Sequence, residues 1–116
     1  MRIIICGGRD YNDGFTVWHV LRALDPDHVT IVHGDCPTGA DAFADRYATA
    51  MGFEVDPNPA DWQRHGKAAG PIRNQAMLDA IAHLVIAFPG ERGTADMVGR
   101  ARSAGVPVLH VDGGGA

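Results

Sequence analysis

The sequence predicts an α/β fold in which helices cover both faces of one parallel, five-stranded sheet. Short apolar runs rich in β-branched residues alternate with longer segments of helical period, which is typical of βα units. The proportions of hydrophobic and charged residues, 46% and 21%, are those of an ordinary globular protein. Since crossovers between parallel strands are right-handed, we expect a three-layer sandwich with strand order 3-2-1-4-5.

Five strands are predicted from the apolar runs, and each is bounded by residues typical of turns. They span Arg2 to Cys6, Val29 to His33, Phe53 to Asp56, Leu84 to Phe88 and Val106 to Val111. At 116 residues the chain has room for one domain, which we place at residues 1–112. Residues 113–116 are expected to form a flexible, glycine-rich tail, because they carry almost no side-chain atoms that could anchor them.

The first two predicted helices each carry an apolar stripe at helical spacing. The first ends before Asp25-Pro26, because proline cannot continue a helix. The second ends at Gly52, a residue suited to the position after a helix. The two stripes consist of Val17, Val20, Leu21 and Leu24, and of Ala40, Phe43, Ala44, Tyr47, Ala48 and Met51. We therefore expect both helices to pack on the sheet.

The third helix is predicted to start near Pro71, a residue suited to a first helical turn, and to run to about Ala82. The fourth is predicted from Thr94 to just before Gly105. The segment that leads into the third helix, residues 59–74, is too long and too specific in composition for a plain connection. We interpret it as a binding loop. Together these elements describe a Rossmann-like fold.

Charge, hydropathy and cysteine content argue against several classes of function. A formal net charge of −4 argues against general binding to nucleic acid. The apolar runs are too short to cross a membrane and the first residues do not resemble a signal peptide, so we expect a cytoplasmic protein. Cys6, Cys36 and His33 lie on separate loops without a close-spaced pair, which predicts reduced thiols and neither a metal site nor a bound cofactor.

Three glycine-rich loops follow the first, second and fourth strands. In an open parallel sheet such loops lie at the carboxyl edge, where ligands bind. Glycine lets backbone N–H groups approach a ligand, and the helix after each loop offers a positive dipole end. Tight strand-to-helix turns also use glycine for conformational reasons alone. The loops read Gly7-Gly8-Arg9-Asp10-Tyr11, Gly34-Asp35-Cys36-Pro37-Thr38-Gly39-Ala40-Asp41 and Pro89-Gly90-Glu91-Arg92-Gly93-Thr94.

Four of the ten basic residues lie in these loops or near the start of the third helix, namely Arg9, Lys67, Arg73 and Arg92. The arginine guanidinium suits bidentate contact with a phosphate, whereas lysine acts as a point charge. Arg73 lies near the amino end of a helix, where the dipole disfavours a cation, so we expect it to have a further role. The alternative is that these residues are solvated loop charges.

Three other residues have both a binding and a structural interpretation. Trp62 can stack on a base or cap the small core. Asn74 can hydrogen-bond a ribose or base, or it can lie on the helix surface. Asp41 can contact a ligand, or it can complete a capping box in which Thr38 is the N-cap residue.

Several motifs spread over nearly the whole chain resemble those of one known family. They are Cys6-Gly7-Gly8-Arg9-Asp10, His33-Gly34, Gly39-Ala40-Asp41, Ala60-Asp61-Trp62, Ala69-Gly70-Pro71-Ile72-Arg73-Asn74 with Met77, and Phe88-Pro89-Gly90 with Gly93-Thr94. The sequence thus resembles the YspA branch of the YpsA-related SLOG superfamily, which also contains the Lonely Guy phosphoribohydrolases and the DNA-processing protein DprA. The resemblance implies a Rossmann-like fold, a nucleotide-derived ligand and self-association as a dimer or larger oligomer.

The last motif departs from that of the Lonely Guy enzymes, which read Pro-Gly-Gly-x-Gly-Thr-x-x-Glu. Here Glu91 replaces the second glycine, and Met97 stands where those enzymes carry the glutamate that supports glycosidic cleavage. The resemblance therefore implies phosphate binding without that carboxylate. Glu91 and Asp96 are the remaining candidates for a carboxylate near the sugar.

The sequence favours a binding module that senses, buffers or sequesters a nucleotide or a nucleotide-derived signal, of ADP-ribose type or cyclic, in conflict between phage and host. The alternative is a hydrolase of N-glycosidic bonds, with Arg73 orienting phosphate and Glu91 or Asp96 as the acid-base group. A DNA-binding relative of DprA is a third, less favoured class. The candidate ligand-binding residues are Gly7, Gly8, Arg9, Asp10, Tyr11, His33, Gly34, Gly39, Ala40, Asp41, Trp62, Lys67, Arg73, Asn74, Pro89, Gly90, Arg92, Gly93 and Thr94.

Overall fold

The computed structural model describes residues 1–112 and contains a five-stranded sheet whose strands all run parallel. The strands are β1 (Arg2–Cys6), β2 (Thr30–His33), β3 (Glu54–Pro57), β4 (Leu84–Ala87) and β5 (Val108–His110). They lie in the order β3-β2-β1-β4-β5. This order confirms the predicted fold class and topology. The predicted flexible tail, residues 113–116, lies outside the described residues.

Five α-helices connect or follow these strands, and one 3-10 turn lies between two of them. The helices are α1 (Gly14–Leu21), α2 (Gly39–Ala50), α3 (Trp62–His65), α4 (Ala69–Asp79) and α5 (Arg92–Ser103), and the 3-10 turn is Gly66–Ala68. Four of the helices were predicted, and α3 was not. Most of the predicted binding loop at residues 59–74 is therefore helical, and that part of the prediction was wrong. The physical reason is that Asp61 caps α3 by accepting the N–H of Arg64 at 3.1 Å.

The end of α2 confirms the role predicted for Gly52. The backbone of Gly52 has a φ of 87°, in the left-handed region that glycine adopts without steric cost. Its N–H donates to the carbonyl of Thr49 at 3.2 Å, and the N–H of Phe53 donates to that of Ala48 at 3.0 Å. These two hydrogen bonds form a Schellman motif, which satisfies carbonyls that the helix leaves free.

Other helix boundaries differ from the predicted ones by a few residues. The α1 helix ends at Leu21, and the chain continues to Leu24 in a tighter turn in which the Leu24 N–H bonds the Leu21 carbonyl at 3.0 Å. The α4 helix ends before the predicted Ala82, because Ile81 has a φ of 67° and cannot continue it. The α5 helix starts at Arg92, before the predicted Thr94, and so includes residues that were assigned to the loop after β4. Such shifts arise because tertiary contacts extend or shorten the last turns.

Two apolar layers enclose the sheet. On one face α1 and α2 pack on β1, β2 and β4, with small alanines of α2 allowing close approach. On the other face α4 and α5 pack on β1 and β4 through residues such as Met77 and Met97. Because every strand is parallel, all five carboxyl ends reach the same edge, and the connecting loops after β1, β2 and β4 meet there. None of the helices within residues 1–112 has the length and apolar composition that spanning a bilayer requires.

Candidate functional site

The loops after β1, β2 and β4 are joined through Gly8. Its N–H donates to the carbonyl of Pro89 at 2.9 Å, and its carbonyl accepts the N–H groups of Tyr11 at 3.2 Å and Ala40 at 3.3 Å. Since Ala40 lies in the first turn of α2, the protein itself satisfies one of the free N–H groups of that helix. The structure therefore brings the three predicted loops together, and part of their backbone is bonded within the protein.

Close approach of the loops requires glycine at two positions. Gly39 has a φ of 74°, and a Cβ atom there would overlap the carbonyl oxygen of Gly8. A Cβ atom at Gly90 would overlap the Thr94 hydroxyl and lie 2.7 Å from the Gly8 nitrogen. At Gly93, by contrast, a Cβ atom would meet no atom of the described chain within 4 Å beyond its own helix and neighbours. Loop packing explains the first two glycines and leaves Gly93 unexplained.

Three buried polar residues lie at this edge: His33, Asp41 and Asn74 are 1%, 8% and 4% exposed. The Nδ1 atom of His33 accepts the N–H of Asp35 at 2.9 Å. The proton is therefore on Nε2, which donates to Asp45 Oδ1 at 2.9 Å. Both ring nitrogens of His33 are thus hydrogen-bonded within the protein.

Asp41 lies in the first turn of α2, but it does not form the predicted capping box. Thr38 is the N-cap residue, yet its hydroxyl donates to the carbonyl of Arg9 at 2.9 Å. The Asp41 carboxylate instead accepts the N–H of Cys36 at 3.3 Å and so holds the loop after β2. Burial raises the pKa of this carboxyl, despite the opposing effects of that hydrogen bond and of the Arg73 charge. The capping-box interpretation was wrong because the loop presents a different N–H group to the carboxylate.

Arg73 joins the loops after β2 and β3 to helix α4. Its Nη1 atom donates to the carbonyls of Gly34 at 2.5 Å and Asn58 at 3.2 Å, and its Nε atom donates to Asn74 Oδ1 at 3.0 Å. The further role expected for Arg73 is thus at least a structural one. These contacts leave Nη2 as the guanidinium nitrogen without a partner within residues 1–112.

Asn74 connects α4 to α5. Its Nδ2 atom donates to the carbonyl of Gly93 at 3.3 Å and to Asp96 Oδ2 at 3.0 Å. Because Asn74 is buried, its interpretation as a helix-surface residue was wrong. Asp96 also accepts from Arg100 at 2.9 Å, so its carboxylate is held by two donors. The neighbouring Met97 is completely buried in the core.

The start of α5 is the open part of this edge. Glu91, Arg92 and Gly93 are exposed, and Thr94 is half-buried. None of the ion pairs within residues 1–112 involves Arg92. An open groove of about 510 Å³ runs beside these residues, between one face of α5 and the carboxyl ends of β4 and β5. An exposed cation, a helix start and an adjacent groove suit an anionic ligand.

Arg9 and Trp62 come from different elements and lie together at the same edge. The Cζ atom of Arg9 is 5.7 Å from the centre of the Trp62 ring. Trp62 is 48% exposed and α3 buries no residue, so the core-capping interpretation of Trp62 was wrong. Two other predicted residues, Asp10 and Lys67, are exposed in the loop after β1 and in the 3-10 turn.

Tyr11 and Cys6 are directed into the protein. The Tyr11 ring packs at 5.5 Å from the ring of Phe88, and its hydroxyl is buried. Burial and the neighbouring Asp41 carboxylate raise the pKa of the Cys6 thiol to about 12, so it carries no thiolate at neutral pH. In the described part of the chain, no three His, Cys, Asp or Glu side chains come together as metal ligands would.

Three residues that complete this polar network were not predicted: Asn58, Asp45 and Arg100. Asn58 contributes its backbone carbonyl to Arg73, and a sequence carries no signal for such a contact. Asp45 meets its histidine partner only because α2 packs against the end of β2. Arg100 follows Asp96 by four residues, a spacing that places both side chains on one helix face and was a usable signal.

Comparison with known proteins agrees with the resemblance of the motifs. A family model described as YspA, cpYpsA-related SLOG family matches residues 1–65, which is more than half of the chain. The Gene 61 protein of Mycobacterium phage D29 is 41% identical over 119 aligned residues, which cover 94% of both chains. This chain therefore belongs to the YspA, cpYpsA-related SLOG family.

Proposed function

We propose that this protein binds a nucleotide or a nucleotide-derived small molecule at the carboxyl edge of its sheet. The observation that carries the proposal is the open start of α5, where Glu91 and Thr94 line the groove and Arg92 and Gly93, between them, are exposed. The N–H groups of the first turn and the Arg92 guanidinium would hold a phosphate or similar anion. Membership of the SLOG family supports a nucleotide-related ligand.

The other loops would shape the site more than they would bind the anion. Gly8 and Asp41 hold the loops after β1 and β2 in place through backbone hydrogen bonds. Arg73 would offer its remaining Nη2 atom to the ligand from a position that its other contacts already fix. A rigid scaffold of this kind lowers the entropy cost of binding.

We further propose that the protein senses, buffers or sequesters its ligand rather than converting it. The chain has a phage relative at 41% identity, and for such a protein we propose a role in conflict between phage and host, with an ADP-ribose-type or cyclic nucleotide signal as the ligand. A phosphoribohydrolase has less support, because Met97 is buried in the core and the Asp96 carboxylate is held by Asn74 and Arg100. Among the residues that line the groove, the exposed carboxylates are Glu91 and Asp112.

Calorimetric titration and thermal unfolding with AMP, cyclic AMP and ADP-ribose test the proposal. We expect at least one of them to bind and to stabilise the protein, by about 2.7 kcal/mol at a concentration one hundred times its Kd. Arg92→Met should weaken binding about tenfold, since a charge-assisted hydrogen bond is lost. Arg46→Met, which removes an exposed arginine of α2, is the matched control and should leave the affinity unchanged.

Chromatography of the same mixtures distinguishes binding from hydrolysis. The proposal expects every ligand to be recovered intact. Release of free base that disappears in Glu91→Gln or Asp96→Asn would establish the hydrolase instead. If no phosphate-bearing compound binds, or if Arg46→Met weakens binding as much as Arg92→Met, the site at α5 is wrong.

A further inference from the structure

Each of the two tryptophans of the chain lies near an arginine, but the two pairs differ in kind. Arg22 and Trp18 lie four residues apart on or just after α1, with the Arg22 Cζ atom 4.9 Å from the ring centre. Such a pair needs only the helix to form. Arg9 and Trp62 are brought together only by the fold, from the loop after β1 and from α3. The second pair therefore requires a separate explanation.

Neither side chain of the second pair is held firmly by the protein. Trp62 is 48% exposed, Arg9 is exposed, and α3 contains no buried residue. None of the ion pairs within residues 1–112 uses Arg9. The Arg9 backbone, by contrast, is fixed, since its carbonyl accepts the hydroxyl of Thr38. Both side chains can therefore turn while the elements that carry them stay in place.

The Arg9 and Trp62 side chains are closer together than they would be with a ring held between them. Atoms in contact lie about 3.5 to 4 Å apart, so a planar ring between two other planes needs roughly 7 Å from one outer plane to the other. The Arg9 Cζ atom lies 5.7 Å from the Trp62 ring centre, so the spacing of the two planes is no larger than this and the pair must open before a ring can enter. Exposed side chains change rotamer within nanoseconds, so such an opening is easily reached.

The loop that carries Arg9 lies against the loop that leads to the proposed anion site. Arg9 follows Gly8, whose nitrogen bonds the carbonyl of Pro89 in the loop that leads to α5. An atom added as Cβ at Gly8 would lie 3.2 Å from the Cα atom of Gly90. This packing of the two loops suits a ligand that has its phosphate at α5 and its ring between Arg9 and Trp62.

We propose that Arg9 and Trp62 clamp the nucleobase of the ligand between a guanidinium and an indole plane. This assignment rests on the proposed nucleotide site and gives Arg9 a role in holding the base rather than the phosphate. Tyr11, the other aromatic candidate, does not take part because its hydroxyl is buried and its ring packs on Phe88. Stacking tolerates every base, so the clamp selects for the presence of a base and little for its identity.

Fluorescence titration of Trp18→Phe, in which Trp62 is the remaining tryptophan, tests the clamp. The probes are AMP, GMP, CMP and UMP, together with ribose 5-phosphate, which has the sugar phosphate and lacks a base. We expect a nucleotide to change the Trp62 emission and to bind at least about tenfold more tightly than ribose 5-phosphate. Ribose 5-phosphate should bind, as seen by calorimetry, without altering that emission.

Matched variants separate the clamp from the anion site. Trp62→Ala and Arg9→Met should reduce nucleotide affinity towards that of ribose 5-phosphate and leave the latter unchanged, and Trp62→Phe should restore part of the loss. Trp18→Ala and Arg22→Met, which alter the local pair, should affect neither ligand. Equal binding of nucleotides and ribose 5-phosphate, with no change in emission, would overturn the clamp and leave the proposed function standing. Absence of binding by all five probes, and by cyclic AMP and ADP-ribose as well, would overturn both. If cyclic AMP or ADP-ribose binds instead, the same variants decide the clamp with that ligand.

Discussion

The carboxyl edge of the sheet has two halves that share residue types and differ in how their polar groups are used. In the locked half, formed by the loop after β2 and the start of α4, Asp41, Arg73 and Asn74 each bond to a backbone group, and Arg73 also bonds to Asn74. In the open half, formed by the start of α5, Arg92 and Gly93 are exposed. Both halves contain glycines and an arginine close to a helix start.

An arginine near a helix start is therefore not in itself a sign of ligand contact. Arg73 satisfies two backbone carbonyls and one side-chain oxygen, so a large part of its hydrogen-bonding capacity maintains the fold. Arg92 has no such partner among the ion pairs of residues 1–112. A binding site needs both kinds of residue, because donors that are free for a ligand are effective only on a rigid support.

The largest expected effect is the difference in stability between alanine variants of one glycine from each half. Gly39→Ala should lower the free energy of unfolding by at least about 3 kcal/mol, because the new Cβ atom would overlap the Gly8 carbonyl and the residue has a positive φ. Gly93→Ala should be neutral or raise it by up to about 1 kcal/mol, since the site lies in a helix and has space. Chemical denaturation of both variants measures the difference. Similar losses in the two variants would mean that the halves are equally packed.

A smaller difference in the free energy of unfolding is expected when the arginine of each half is replaced by methionine. Arg73→Met should lower the free energy of unfolding by about 2 to 4 kcal/mol, because it leaves buried acceptors without a donor beside the Asp41 carboxylate. Arg92→Met should change it by less than about 0.5 kcal/mol, as is usual for an exposed residue. Chemical denaturation of both variants measures these changes, and their ligand affinities show whether stability and binding are affected separately. A stable Arg73→Met protein would show that the locked half does not depend on its arginine.

The smallest effect concerns the pH dependence of stability in the locked half. Burial raises the pKa of Asp41 above 3.8, so the folded protein holds this proton more tightly than the unfolded chain does. The contribution of Asp41 to stability is therefore complete below that pH and declines as pH rises through the folded pKa. Asp41→Asn cannot ionise and should lack this decline, so it should gain stability relative to the original protein as pH rises from about 4. Unfolding measured from pH 3 to 7 tests this, and parallel curves for the two proteins would contradict it.

Much of the fold was predictable because its signals are local. Apolar periodicity distinguishes β1 and β4 from the amphipathic helices, and Gly52 and Pro71 mark helix boundaries through backbone sterics. The handedness of parallel crossovers then leads from this element order to the strand order that is observed. The unpredicted helix α3 had a local signal as well, since Asp61 precedes it as an N-cap residue.

The roles of the site residues were predictable only in part. The fold class, the strand order and the three loops that meet at one edge follow from the sequence, because they depend on periodicity, turn chemistry and chirality. The hydrogen bonds of Asp41 to Cys36 and of Arg73 to Gly34, and the exposure of Arg92, are visible only in the folded arrangement. The physical reason is that a buried polar group takes whichever partner the fold brings within hydrogen-bonding distance, and distance along the chain carries no record of that partner.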